Sequence, residues 1–309
     1  MNTLTGIYGA ASALRNTLYD HGMLPARRLE RPVVSIGNLS VGGSGKTPFV
    51  IALGELLLAR GIRFDVLSRG YRRKTRGVLV VELNGSATDF GDEPLLIARR
   101  LGVPVIVGES RYEAGRLAEE KFESQLHLLD DGFQHRSLAR DFDIVLIAGT
   151  DFNDRLLPSG RLREALSSLE RADAIVLPAE LAVENAALHG KRLWRMKREI
   201  AVPAAPEAPV VFCGLARPQQ FFAQVRTAGI SPVAELDFRD HHAYGRIDIE
   251  RLLATRARFG AGGFVTTEKD AVNLGPLQTE LQPIAIASLN VTLDNPANIV
   301  DTILKRIRK

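Results

Sequence analysis

The chain has 309 residues, 45% of them hydrophobic and 25% charged, an ordinary balance for a soluble globular protein with room for two cores. One cysteine excludes an intramolecular disulfide, no run approaches the ~20 apolar residues that span a bilayer, and no signal peptide is evident. The formal charge of +4 favours an anionic partner, and 6% aromatic residues argue against stacked single-stranded nucleic acid.

Residues 1–31 do not read as a domain core. Leu4, Ile7, Tyr8, Ala11, Leu14 and Leu18 recur at helical spacing on one face, and Arg15, Arg27, Arg28 and Arg31 make the segment basic. Two readings stand: an amphipathic helix on an anionic membrane surface, or a helix packed on its own domain.

Residues 33–48 read VVSIGNLSVGGSGKTP. The run 33–36 predicts a buried strand, and the apolar periodicity from 49 to 58 predicts a helix. Between them lie Ser40, Val41, Gly42, Gly43, Ser44 and Gly45, then Lys46 and Thr47, which together are the parts of a P-loop. Glycines let backbone N–H groups turn onto phosphate oxygens, and the helix N-terminus adds partial positive charge. Lys46 is expected on the β- and γ-phosphates and Thr47 on Mg²⁺. Pro48 is compatible, because the first helical turn needs no donor there. Ser40 stands where the motif G-x-x-x-x-G-K-[ST] has its first glycine; a glycine-rich turn with a chance Lys-Thr is the alternative.

Residues 64–67 predict a second strand. It runs into Ser68, Arg69, Gly70 and Tyr71 and then the basic group Arg72, Arg73, Lys74 and Arg76, either a phosphate-gripping loop or a solvated face. Residues 78–83 are a further strand candidate. Asp92 and Glu93 open a helical segment, as helix cap or as base or metal ligand. Residues 103–107 predict a strand, with Arg111 just beyond it.

Residues 125–135, QLHLLDDGFQH, predict a short strand ending in Asp130 and Asp131. After a P-loop, that is the place of an acidic pair that holds Mg²⁺; a plain Asp-Asp-Gly turn is the alternative. Gln134, His135 and Arg136 follow closely enough to line the same cleft. A strand at 144–147, a loop at 156–160, a helix over 161–171 and a strand at 174–177 complete the series. The βαβα alternation from 33 to 177 predicts a mainly parallel, P-loop NTPase-like α/β sheet with flanking helices.

The Ala- and Pro-rich stretch 201–209 reads as a linker between a first domain at 32–200 and a second, smaller α/β domain at 210–309, whose last helix could pack back on the first. The second domain holds predicted strands at 210–213 and 263–266, a helix at 218–228, the triplet Asp240-His241-His242 and the run Thr267-Glu268-Lys269-Asp270. Cys213, inside an apolar run, reads as a buried thiol.

Taken together, GNLSVGGSGKTP (37–48), SRGY (68–71), GDEP (91–94), DDGFQHR (130–136), LLPSGRLRE (156–164), FCGLARP (212–218), DHHAY (240–244) and TEKDA (267–271) resemble the tetraacyldisaccharide 4'-kinase family of lipid A biosynthesis. The motifs span nearly the whole chain, and the family's P-loops commonly carry Thr or Ser at the position of Ser40. The resemblance implies transfer of the ATP γ-phosphate to the 4'-hydroxyl of a tetraacylated glucosamine disaccharide 1-phosphate. It also implies peripheral contact with the cytoplasmic face of a Gram-negative inner membrane, and two α/β/α domains closing around ATP. Asp92 then matches the family's base for the sugar hydroxyl, and His241 its partner from the second domain. Asp130, Asp131 and Glu164 are expected around Mg²⁺ with Thr47, and Glu93, Arg111, Gln134 and Arg72 on the acceptor. A P-loop ATPase or ligase acting on a soluble metabolite, and a nucleotide-dependent switch, are the other classes the residues allow.

Overall fold

The structure is a computed structural model that describes residues 3–43, 45–182 and 185–307. Helix α1 (Thr3–Asp20) precedes a buried strand, β1 (Val33–Asn38), whose six residues are all covered. Helix α2 (Lys46–Ala59) follows at once. Its Phe49, Val50, Ile51, Ala52 and Gly54 are buried and go round the helix, as expected of one enclosed by the sheet and its neighbours. Then come β2 (Phe64–Ser68), a two-residue edge strand β3 (Leu79–Val80), the single turn α3 (Ala87–Phe90), α4 (Asp92–Leu101), β4 (Val105–Val107) and α5 (Arg111–Lys121). Strands β5 (Leu126–Asp130), β6 (Phe142–Leu146), β7 (Ala174–Pro178) and β8 (Arg192–Ala201) complete the first half.

The second half contains β9 (Val210–Cys213), α6 (Pro218–Thr227), β10 (Ala234–Asp237), α7 (Arg246–Phe259), β11 (Phe264–Thr267), α8 (Glu268–Leu274), β12 (Ile284–Leu293) and α9 (Pro296–Ile307). The strands are joined in the order β10-β9-β11-β12-β8-β7-β6-β1-β5-β2-β4-β3. All pairs are parallel except β3 with β4 and β8 with β12. The P-loop strand β1 lies between β5 and β6, so the chain reaches the carboxyl edge of the sheet at Asn38 and at Asp130 side by side.

The two halves meet along the antiparallel ribbon of β8 and β12, in register from Ser288 with Ala201 to Leu293 with Met196. Residues 202–209 only return the chain from this ribbon to β9. Helix α9 crosses back over the first half, where Ile299, Val300 and Ile303 share a core with Phe142 and Trp194.

Several expectations change. Residues 161–171 are not a helix: Arg163 N donates to Leu39 O at 2.6 Å and Leu162 bridges Ser40, so this stretch lies along the P-loop and only Leu166–Arg171 coils, as a 3₁₀ turn. Of the strand candidate at 78–83, only Leu79 and Val80 pair. Strand β8 carries no clear apolar alternation, because only Trp194 and Met196 are buried on it. Helix α1 divides its apolar residues: Tyr8 turns inward and donates to Arg163 O at 3.0 Å, whereas Leu4, Ile7 and Leu14 are each more than 60% exposed.

Candidate active site

A cleft of about 1300 Å³ runs from α1 and the sheet edge of the first half to α6 and the DHHAY loop of the second. Its floor is the loop after β1. Gly42 and Gly45 have φ of 96° and 85°, conformations that a Cβ would strain, and the space a Cβ of Gly42 or Gly43 would take is open. Gly45 leads straight into Lys46 and Thr47 at the N-terminus of α2, the electropositive end of that helix. Val41, Gly42, Gly43, Gly45, Lys46 and Thr47 line the cleft. Ser40 is buried behind it, and Ser44 lies outside the described residues.

Lys46 Nζ donates to Asn38 Oδ1 at 2.9 Å and lies 3.4 Å from Asp131 Oδ1. Arg163 donates to both oxygens of Asp131, at 3.0 and 2.8 Å, and also to Asn38 Oδ1. Burial alone would raise the Asp131 carboxyl, but Lys46 and Arg163 outweigh it and hold the group well below the usual carboxylate range. Asp131 is thus an anchored anion, with a φ of 50° that sets its direction.

Asp130 differs. It is 3% exposed, accepts from Ser68 Oγ at 3.0 Å through Oδ2, and has no partner for Oδ1. Burial, then Glu93 and Asp131, push its pKa up to about 7. A buried carboxylate oxygen with a missing partner, in the cleft that Thr47 and the glycine loop also line, fits a hard divalent cation. No group of three or more His, Cys, Asp or Glu side chains among the described residues forms a metal cage.

Across the cleft, Gly91 at φ 89° turns the chain into α4, placing Asp92 in its first turn. Asp92 is 4% exposed and does not itself line the cleft; His241 covers it and does. His241 Nδ1 lies 2.8 and 3.0 Å from the two Asp92 oxygens, and Asn273 Nδ2 donates to Oδ2 at 3.1 Å. Burial disfavours the charge on Asp92, but His241, Lys269 and Asn273 together bring its pKa below the ordinary value. The ionised carboxylate accepts, so His241 holds a proton on Nδ1. His241 has a φ of 56°, an uncommon conformation outside glycine.

Glu93, Arg111 and Gln134 also line the cleft. Arg111 is buried, donates to Gly108 O and Glu109 O at 3.1 and 2.9 Å, and keeps Nε without a partner. Two expected site residues are engaged elsewhere. Glu164 Oε2 receives Asn16 Nδ2 at 2.8 Å and Arg171 at 2.7 Å, which anchors α1; its Oε1 is buried without a partner, and the residue is not among those lining the cleft. Arg72 donates to Asp240 O and His241 O at 2.6 and 3.4 Å; it ties the two halves together outside the cleft lining. Arg163, Asn38 and Lys269 were within conspicuous motifs without a role read for them, and nothing in the sequence pointed to Asn273.

A parallel sheet, a glycine loop feeding Lys-Thr at a helix N-terminus and an acidic pair on the adjacent strand define a P-loop phosphotransferase. The family model for tetraacyldisaccharide-1-P 4'-kinase (LpxK) matches residues 1–308. A tetraacyldisaccharide 4'-kinase from Koribacter versatilis is 49% identical over 319 residues, covering 100% of this chain and 99% of the relative. Another from Geobacter metallireducens is 38% identical over 311 residues, covering 94% and 92%. A crystal structure of the "apo" form of LpxK from Aquifex aeolicus in complex with ATP superposes with a TM-score of 0.83 at 35% identity, covering 99% of this chain and 97% of the other. The chain belongs to the tetraacyldisaccharide 4'-kinase family.

Proposed function

We propose that this chain is an ATP-dependent kinase that phosphorylates the 4'-hydroxyl of a tetraacylated glucosamine disaccharide 1-phosphate, a lipid A precursor. The observation that carries the reading is one cleft joining Lys46, Asp130 and the Asp92–His241 pair, in a chain that matches the family along its length. The glycine loop and Lys46 receive the β- and γ-phosphates, with Lys46 held by Asn38 and Asp131 held by Arg163. Mg²⁺ held by Thr47 and Asp130 would supply charge neutralisation at the transferred group. The Asp92–His241 pair takes the proton of the acceptor hydroxyl, help worth about 10²–10⁴-fold. Within the pair Asp92 is the base for that proton, and His241, through its Nδ1–H, orients the carboxylate.

A lipid acceptor, and not a soluble metabolite, is favoured by α1. Its inner face is tied down by polar contacts from Tyr8, Arg15 and Asn16, and its outer face presents Leu4, Ile7 and Leu14. No helix among the described residues is long and apolar enough to cross a membrane. Peripheral docking on the cytoplasmic face of the inner membrane is therefore the proposed location. The test is incubation with γ-labelled ATP and the detergent-dispersed disaccharide 1-phosphate. Label moves to the lipid with the native chain and is lost with Lys46→Ala; transfer at the native rate by Lys46→Ala would refute the P-loop assignment.

A further inference from the structure

Lys269 belongs to the TEKDA run and has no part in the phosphate cradle. Its Nζ lies 3.2 Å from His241 Nε2, 3.3 Å from Asp240 Oδ1, and 3.9 Å from both Asp92 Oδ2 and Glu93 Oε1. The side chain is 16% exposed. Its placement is built in by the residues around it. Thr267 caps α8 by accepting from Asp270 N at 3.1 Å. The buried Asp270 carboxylate accepts from Gly214 N at 2.8 Å and Tyr244 OH at 2.9 Å, and Gly214 O accepts from His241 N at 3.2 Å. One short motif therefore aims Lys269 and holds the backbone of the histidine it touches.

We propose that Lys269 is the positioning residue of the proton-accepting pair: its ammonium donates to His241 Nε2 and so keeps the ring proton on Nδ1, facing Asp92. An ammonium has three donors and no acceptor, so at this contact the ring nitrogen must supply the lone pair. A ring protonated on Nε2 would set N–H against N–H, and Asp92 would lose its imidazole donor. The charged groups facing Lys269 and His241 are Asp92 and Glu93 from α4, Asp240 beside the histidine, and Arg72 on the Asp240 and His241 carbonyls; Glu268 is taken by Arg100 at 2.6 Å. Three acids crowd one place, and Lys269 is the cation that reaches all of them. It is one of the groups holding the Asp92 carboxyl below its ordinary range despite burial. Without it Asp92 loses one of the groups that hold its carboxyl down against burial.

This inference rests on the proposed role of Asp92 and His241, and the experiment separates the two. Nitrogen-15 NMR of the histidines in the wild-type enzyme at neutral pH should show the His241 ring in the Nδ1–H form, with Nε2 hydrogen-bonded but unprotonated. An Nε2–H or doubly protonated ring overturns the proposal without any variant. In Lys269→Met, kcat falls roughly tenfold or more and the acid limb of the kcat–pH curve moves to higher pH, while ATP binding is unchanged. Lys269→Arg returns the acid limb towards the wild-type position. If Lys269→Met keeps wild-type kcat, or loses it with a superimposable pH curve, the positioning role is wrong. Loss of kcat in Asp92→Asn beside a normal Lys269→Met would sink this inference and leave the kinase reading standing.

Discussion

Two carboxylates adjacent in sequence are given opposite properties. Asp131 is neutralised in place by Lys46 and Arg163, whereas Asp130 is buried with one oxygen unpartnered and a pKa near 7. In the proposed function that contrast favours Asp130 for the cation and a structural role for Asp131, a division no sequence reading of Asp-Asp-Gly could make, because both acids follow the same strand. The pH dependence has a definite sign. Between the ordinary carboxyl pKa of 3.8 and about 7, the folded protein keeps a proton that the unfolded chain has lost, so metal-free stability falls as pH rises through that window. Asp130→Asn removes the titration. At pH 8 without divalent cation it should melt higher than wild type, by on the order of a few kcal/mol of stability, and Mg²⁺ should raise the Tm of wild type but not of the variant. A melting temperature of Asp130→Asn that responds to Mg²⁺ as wild type does would remove Asp130 from the cation site. Asp92 and His241 were legible as motif members, but the sequence alone allowed Asp92 to be only a helix cap; its burial beneath His241 and its contact with Asn273 are tertiary facts.

At the scale of elements, the strand-loop-helix of the P-loop was readable because each part has a local cause: β-branched residues, glycines at positive φ, and an apolar helix enclosed by its neighbours. The stretch 161–171 misled because Arg, Leu and Glu at helical spacing are also what a strap against another loop needs. Its backbone is committed to Leu39 and Ser40, and tertiary pairing overrides local propensity. Strand β8 was invisible because it is half-solvated and rich in Arg and Lys. Helix α1 was legible as amphipathic but not as to which face meets water, since Tyr8 and Asn16 reach Arg163 and Glu164 only in the folded chain. Its outward Ile7 and Leu14 give a specific expectation. Ile7→Glu and Leu14→Glu should each cut partition onto anionic vesicles roughly tenfold, with little change in Tm, because each removes an apolar side chain worth ~1.5–3 kcal/mol on burial. Unchanged partition of the double variant would leave α1 a packing element.

At the scale of the molecule, the proposed chemistry depends on two halves of one sheet that meet at β8 and β12 and touch again across the cleft. Arg72 with the DHHAY loop, Arg100 with Glu268, and Asp92 with His241 all cross that gap. The sequence suggested a Pro-rich boundary near 201–209 but gave no sign that the sheet would run through it, because pairing of β8 with β12 joins residues about ninety positions apart. The dyad in which Asp92 and His241 come from opposite halves is already assembled in this conformation, so binding energy from ATP and acceptor is free to align the hydroxyl with the γ-phosphate. Single-turnover transfer from γ-labelled ATP to the disaccharide 1-phosphate, followed in wild type, Asp92→Asn and His241→Ala, tests this most directly. The predicted result is a chemical step slowed about 10²–10⁴-fold in both variants with ATP affinity retained; transfer at close to the wild-type rate in either would contradict a proton-accepting pair built across the two halves.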